Sequence, residues 1–330
     1  MTAELNWSGL PDLFKTDVIK YLDFSNRCSL RECSSSDRAL IDNCPITLEY
    51  IRIKKNDQTN GNIEFVVSQP PKIFKKLTKD SESVVKDLLR IVGHPKTKLG
   101  EILTDIPYSN KFNANFFVIL SEELKKLKPS FKIKTDHFFW CCHVENESYM
   151  LDFIERLDPS CLRRLYLDTC PTKETMRKLI ETEQWKHLTE FSVAVYQNFF
   201  TALTVPIEEL LHFEDLQICE KKMRSEEVLA VVKSFRKTAR PLNSFFKLGS
   251  NDPMGEEEVL SLLGPSSYFH EYENSRVYSI ENTEDVLLVS VTDWFVNGVV
   301  RRKDQLLEDV VPRFSNWSEH IKRLGEGMPW

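Results

Sequence analysis

Cys141-Cys142-His143, preceded by Asp136-His137 and the aromatic run Phe138-Phe139-Trp140, is the densest group of metal-ligating and nucleophilic side chains in the sequence. Thiolate and imidazole side by side are what a zinc site or a Cys–His nucleophile uses. A four-ligand zinc site needs a second Cys or His pair at set spacing, and none lies near, so a buried strand is expected here. His270-Glu271-Tyr272-Glu273 lacks the second His of a zincin helix and is expected to be a solvated edge. Glu256-Glu257-Glu258 suits the first turn of a helix, where carboxylates offset the partial positive charge of free amide groups. The chain has no Cys-x-x-Cys, no G-x-G-x-x-G, no P-loop and no G-x-S-x-G. No catalytic residue, metal or cofactor is therefore expected, and an enzyme is the least favoured class.

The elements left to carry function are those of an interaction protein. The 330 residues leave room for a large core and two structural units. A net charge of −6 argues against a wholesale nucleic-acid binder. Residues 51–98 are locally basic, with 11 Lys or Arg against 5 Asp or Glu. These charges are scattered among few aromatics, so they are expected to form a solvated face, or one that meets an acidic protein, rather than a nucleic-acid site. No run of 18 apolar residues occurs, so no membrane span is expected. The N-terminus MTAELNWSGLPD has neither a basic start nor an apolar core, so no secretory signal is expected. The sequons at Asn6, Asn146 and Asn316 then read as chance, and the eight cysteines as reduced thiols of a cytosolic or nuclear protein.

Residues 10–44 carry the clearest pattern. Pro11 is tolerated in a first helical turn, which does not need its N–H. Asp12 and Asp17 suit the N-terminal half of that helix. Leu10, Phe14, Val18 and Leu22 recur every four residues, while Leu13, Ile19 and Tyr21 widen the stripe beyond one face. A helix this broadly apolar must bury more than one side. Ser25 is expected to cap a second helix running from Arg27 to Cys33, and Ser36 or Asp37 a third, ended by Pro45. Three helices in so few residues are marginal without a partner.

The ordered pattern is Leu-Pro, an apolar helix, Leu-Asp, Arg-x-x-Leu-Arg-x-Cys-Ser and Asp-Arg-x-Leu. It resembles an F-box, the helical module that plugs a protein into a Skp-family adaptor and through it a cullin ubiquitin ligase. Lys15-Thr16 stands where Glu-Leu is usual, and Ser34-Ser35-Ser36-Asp37 where an aromatic-basic segment is usual. The resemblance implies adaptor contacts at Leu10, Pro11, Phe14, Val18, Ile19, Leu22, Leu30 and Leu40.

Downstream, Leu48, Tyr50 (or Ile51) and Ile53, then Ile63, Phe65 and Val67, alternate around a polar turn as two strands would, and Pro70-Pro71 breaks the pattern. Residues 81–92 and 121–128 are expected to be helices opened by Ser81 and Ser121. Leu165 and Leu167, Phe191 and Val193, and Leu216 and Ile218 mark strands 26 and then 25 residues apart. Phe246 and Leu248 continue the series after 30 residues, and Phe131 and Ile133 precede it. Helical segments follow at residues 173–181 and 225–237. A strand-plus-helix unit at this interval is the mark of leucine-rich-repeat solenoids, here irregular because the repeat Asn is missing. Residues 253–330 look less regular, with a helix closed by Gly264-Pro265, a hairpin of RVYSI and VLLVSV, and a helix from Asp304 to Leu324. This half resembles the FTH domain that accompanies the F-box in large, divergent families.

The expected fold is mixed α/β, with a three-helix F-box at residues 7–47 followed by an irregular leucine-rich-repeat-like domain at residues 48–330. The resemblance implies a non-catalytic substrate receptor of a Skp–cullin–F-box ligase. Such a receptor would hold a target protein on the concave face or loops of its repeat domain and would act by proximity. The competing reading is a repeat-type scaffold that uses the helices internally and never joins a ligase.

Overall fold

The structure, a computed structural model, describes residues 6–55, 63–69, 72–78, 80–94, 96–106, 111–141, 144–193, 203–267 and 274–305. It opens with three short helices, α1 (Asp12–Tyr21), α2 (Phe24–Cys33) and α3 (Ser35–Asp42). Pro11 takes the extended N-cap position of α1. Asp23, not Ser25, caps α2, accepting from the Asn26 N–H at 2.8 Å. Ser34, not Ser36 or Asp37, caps α3, accepting from the Asp37 N–H at 3.0 Å. Both caps lie earlier than expected because the connections are so short that each helix begins as soon as the backbone leaves its extended link.

Contacts divide the chain into two compact units, residues 1–213 with 217–220, and residues 214–216 with 221–330. The first continues with a meander of β1 (Thr47–Lys55), β2 (Ile63–Gln69) and β3 (Lys72–Thr78). The strand after Pro70-Pro71 was not apparent in the sequence. Then α4 (Ser81–Val92), capped by Asp80, leads to β4 (Lys98–Asp105), parallel to β1. The pattern repeats with α5 (Lys111–Lys126), β5 (Thr135–Trp140), α6 (Glu147–Ile154), β6 (Arg164–Leu167), α7 (Lys173–Ile180), α8 (Glu183–His187) and β7 (Glu190–Val193). The strand order is β3-β2-β1-β4-β5-β6-β7, parallel from β1 onward.

Two expectations are corrected here. The helix expected at 121–128 begins at Lys111, because Phe116, Phe117, Leu120 and Leu124 form one buried helical stripe; Ser121 lies inside it and donates to Asp152. Phe131 and Ile133 belong to no strand, and Ile133 makes only an isolated bridge to Leu157. The strand is the aromatic run just after them, where a buried strand was expected.

Each new parallel strand is added on the same side of the last. Crossovers of this kind are right-handed almost without exception, which places every crossover helix on one face. That face is the apolar one: Ile102, Phe138, Trp140, Leu165, Leu167 and Phe191 are all at most 1% exposed. Phe138 stacks on Phe153 of α6 at 5.0 Å, Trp140 tilts against Phe117 of α5 at 5.2 Å, and Phe191 meets Trp185 of α8 edge-on at 5.0 Å. Each such buried side chain contributes roughly 1.5–3 kcal/mol.

The strand β8 (Asp215–Glu220) divides between the two units. The second unit adds α9 (Ser225–Lys237), β9 (Phe245–Ser250), α10 (Glu256–Leu263), β10 (Ser275–Ser279), β11 (Asp285–Val291) and β12 (Phe295–Arg302). Its strand order β9-β12-β11-β10 is antiparallel throughout, and the expected hairpin is β10–β11. Asn282 supplies a positive φ in its turn, and Gly264 at φ 71° ends α10. The polar turn before β2, Cys142-His143, His270-Glu271-Tyr272-Glu273, Asn316 and the C-terminal helix beyond Gln305 lie outside the described residues.

Gly298 pairs with Phe246 across β12 and β9, and a Cβ on Gly298 would fall within the Phe246 ring. Gly298→Ala is expected to destabilise the second unit by about 1–3 kcal/mol through this overpacking. Urea melts of the two proteins check this, and an unchanged midpoint would show that the ring yields without cost.

Candidate functional site

The first helix presents its apolar side to solvent. Its inward side is Lys15 and Ile19, 6% and 0% exposed, with Leu22 beyond them. Lys15 is covered by the Trp7 ring, its ammonium 5.7 Å from the centroid. Positions 10, 13, 14, 17, 18 and 21 share the opposite face at helical spacing. On it Leu13, Phe14 and Tyr21 are 77%, 56% and 90% exposed, Pro11 is exposed, and Leu10 and Val18 are half-buried. Three of the six exposed large hydrophobics among the described residues therefore sit on one short helix.

Of the residues nominated from sequence, Leu10, Pro11, Phe14 and Val18 share this outward surface. Ile19 lies in the module's own core with Ile41 and Cys44, and Leu22, Leu30 and Leu40 pack against that core while staying partly exposed. Leu13 and Tyr21 were not nominated. Their signal was the widening of the stripe at i+3, read only as a need for extra burial.

One buried cation holds this arrangement. Arg27, 5% exposed, donates from Nε to the Leu22 carbonyl at 3.0 Å and from Nη2 to the Lys20 carbonyl at 3.3 Å. Its Nη1 donates to the carbonyls of Cys44 at 3.4 Å and Pro45 at 2.9 Å. The C-terminal end of α1 is thus tied to the chain leaving α3. Burial pulls the guanidinium below its ordinary pKa, with the Cys44 thiol opposing weakly. At the other end, Trp7 Nε1 donates to Asp37 Oδ1 at 2.8 Å and Ser34 Oγ to Asp37 Oδ2 at 2.7 Å, and these bonds hold the Asp37 carboxyl below the usual range.

Polar contacts seat the module on the α/β part of the same unit. Asp42 accepts from Arg31 at 2.8 and 3.2 Å and lies 3.7 Å from Arg90 of α4. His94 Nε2 lies 2.8 Å from the Asn43 carbonyl while its Nδ1 accepts from the Lys96 N–H at 3.1 Å. The Phe24 N–H donates to Gln69 of β2 at 2.8 Å.

The sheet offers a second surface, the face opposite the helices. Tyr50, Glu101, His137, Arg164 and Glu190 lie in register across β1, β4, β5, β6 and β7. In the next row on that face, Arg52, Leu103, Phe139, Tyr166 and Ser192 follow, with Phe139 stacked on Tyr166 at 4.7 Å. Arg52 pairs with Asp105 at 2.8 Å, Lys54 with Glu64 at 3.7 Å and Arg164 with Glu190. Burial pushes Glu101 up to about 7, against the pull of Arg164 and Arg52 and with the help of Glu49. The Cys141 thiol donates to Asp168 at 2.9 Å. No group of three or more His, Cys, Asp or Glu among the described residues could hold a metal.

The F-box domain family matches residues 7–49 and the FTH domain family matches residues 114–265. An uncharacterised F-box protein of Caenorhabditis elegans is 32% identical over 79 residues, covering 24% of this chain and 17% of that protein. A lysine–tRNA ligase of Mycoplasmopsis fermentans is 24% identical over 198 residues, covering 54% of this chain and 40% of that protein. The chain thus spans less than half the length of either curated relative. No solved structure matches. No described helix is long and apolar enough to cross a membrane.

Arg27→Ala is expected to cost about 2–4 kcal/mol and to loosen all three N-terminal helices, because four carbonyls lose a charged donor. Arg27→Lys is expected to recover little of this, since an ammonium cannot reproduce the fork. Hydrogen exchange of the α1 and α3 amides measures both, and full protection in either variant would count against the tie.

The raised Glu101 value has a defined sign. The folded state holds this proton more tightly than the unfolded chain. The resulting stability is present below about 4.5 and is lost as pH rises through about 7. Glu101→Gln is therefore expected to leave stability unchanged near pH 4.5 and to raise it by about 1–2 kcal/mol at pH 8, allowing for partial solvent screening. Melting curves at the two pH values check this, and a pH-independent difference would contradict it.

Proposed function

We propose that this chain, which carries an F-box domain followed by an FTH domain, is a substrate-recognition subunit of a Skp–cullin–F-box ubiquitin ligase. The observation that carries the reading is the outward apolar face of α1, with Leu13, Phe14 and Tyr21 mostly in solvent. A soluble helix ordinarily turns such residues inward, and a contiguous exposed set marks a partner surface. The docking set is Leu10, Pro11, Phe14, Val18, Leu22, Leu30 and Leu40, extended by Leu13 and Tyr21, with Ile19 supporting it from the core.

Docking falls to residues 7–47 and target recognition to residues 48–330, in which 253–330 form the less regular end. The cullin is reached only through the adaptor. The chain carries no chemistry of its own; it raises the local concentration of target lysines beside a charged ubiquitin carrier. The seven described cysteines form no disulfide among themselves, which fits a reducing cytosolic or nuclear setting.

A scaffold reading draws on the contacts of Asp42 with Arg90, Asn43 with His94 and Phe24 with Gln69, which put the same helices to internal use. It requires that removal of residues 1–45 unfold the remainder and that no adaptor bind.

Size exclusion of the full chain with a purified Skp-family adaptor separates the two readings. A stoichiometric complex is expected. Leu10→Ala with Pro11→Ala, and independently Leu13→Ala with Phe14→Ala, are each expected to weaken it at least 100-fold while the protein stays folded, since buried anchors carry most of an interface's energy. Wild-type affinity in both double variants would overturn the docking assignment.

A further inference from the structure

We propose that Lys15 and Asp37, joined through Trp7, form a buried charge couple that positions α1 for adaptor docking. They are positioning residues and not contact residues. The inference rests on the docking reading above and adds the pair that sets which side α1 turns outward.

The couple starts from a costly placement. Lys15 lies one turn before Ile19 on the inward side of α1 and is 6% exposed. An ammonium there loses most of its water and needs compensation from the protein. The Trp7 ring supplies part of it, with its centroid 5.7 Å from Nζ, within reach of the attraction between a cation and an aromatic face. The same indole reaches a carboxylate. Asp37, 5% exposed, accepts from Trp7 Nε1 at 2.8 Å and from the Ser34 hydroxyl at 2.7 Å. The bonds from Ser34 and Trp7, with the charge of Lys15 behind them, hold the Asp37 carboxyl below its ordinary range against the opposing effect of burial. One indole thus carries the cation on its ring and the carboxylate on its N–H.

Both charges fall in the segments where the chain departs from the F-box pattern. Lys15 stands where Glu is usual, and Asp37 closes the stretch from Ser34 that stands where a basic segment is usual. The sign is reversed at both positions, and the fold brings both to one side chain. A single reversal would leave a buried charge without its opposite, whereas the two together keep one cation and one anion in the same network. The two departures are therefore one coordinated replacement. Its consequence is orientation. The Arg27 bonds fix the C-terminal end of α1, and the couple fixes its N-terminal half. Successive side chains are about 100° apart around a helix, so a roll that released Lys15 to water would carry Phe14 off the docking face.

Titration calorimetry of the full chain with a purified Skp-family adaptor tests this, with Lys15→Met and Asp37→Asn made singly and together. Met keeps the length of the side chain, and Asn keeps an acceptor for Trp7 and Ser34. Each single variant is expected to weaken binding about fivefold, and the double variant to return to within about twofold of wild type, because removing both members leaves no uncompensated charge. Should a single variant unfold the module, the double variant still decides, since the proposal requires it to fold and bind. The Asp37 carboxyl carbon, followed by NMR, is expected to titrate at higher pH in Lys15→Met, and likewise in Trp7→Phe, which keeps a ring but loses the N–H. Additive losses in the double variant, or an Asp37 titration unmoved by Lys15→Met, would overturn the couple while leaving the docking reading intact. A wild-type chain that binds no adaptor would overturn the docking reading and the positioning role with it, and the Asp37 titration would then still decide whether the two charges are coupled.

Discussion

The N-terminal module depends on a guanidinium buried among backbone carbonyls. A charge in that position is tolerable only with acceptors in place. The acceptors Arg27 finds are carbonyls at the end of α1 and in the chain after α3. Carbonyls at a helix end lack intrahelical partners and carry partial negative charge, so one side chain meets both needs. The consequence reaches across the helix. Because α1 is held at its end by the Arg27 bonds to its carbonyls and along its inward side by Lys15 and Ile19, its other face is not needed for packing. Leu13, Phe14 and Tyr21 can then stay in solvent without the module coming apart.

A second constraint governs the sheet. Purely parallel sheets are usually buried on both faces, and their strands are apolar throughout. Here the strands grow in one direction, so the crossover helices lie on one face, yet on the other face Arg52, Leu103, Tyr166 and Ser192 are also at most 9% exposed. The two faces alternate residue by residue: Leu165 and Leu167 on the helix side, Arg164 and Tyr166 on the other. On that second face, charges on adjacent strands pair across the ladder, so that β1 pairs with β2 and β4, and β6 with β7. Ion pairs in such positions contribute little to stability. Their arginines also act on a neighbour: Arg164 and Arg52 oppose, without cancelling, the effect of burial on Glu101.

The legible parts of this chain were those set by local pattern. Leu-Pro and the four-residue apolar spacing marked α1, and the 25- and 26-residue strand intervals marked β6, β7 and β8 with the correct residues facing the core. The helix from Lys111 was cut short because Ser121 looked like a cap, when its hydroxyl is satisfied by Asp152, 31 residues away. β3 was missed because Pro70-Pro71 marks a break without saying that the strand resumes beyond it. The role of Arg27 could not be read at all, since carbonyls as far as Pro45 supply its acceptors. The raised proton affinity of Glu101 was equally hidden, because its burial depends on the strands on both sides of it.

The same helices serve two purposes without conflict. Their core is small, with Ile19, Ile41 and Cys44 buried and four further side chains leaning on them. A module of that size needs outside support. The α/β part supplies it along α2 and α3, through Gln69, Arg90 and His94. None of these contacts touches the outward face of α1. Use of the helices within the fold and use of them for docking are therefore not alternatives in physical terms. The internal contacts brace the module from one side, and in doing so they let the opposite side remain apolar and available.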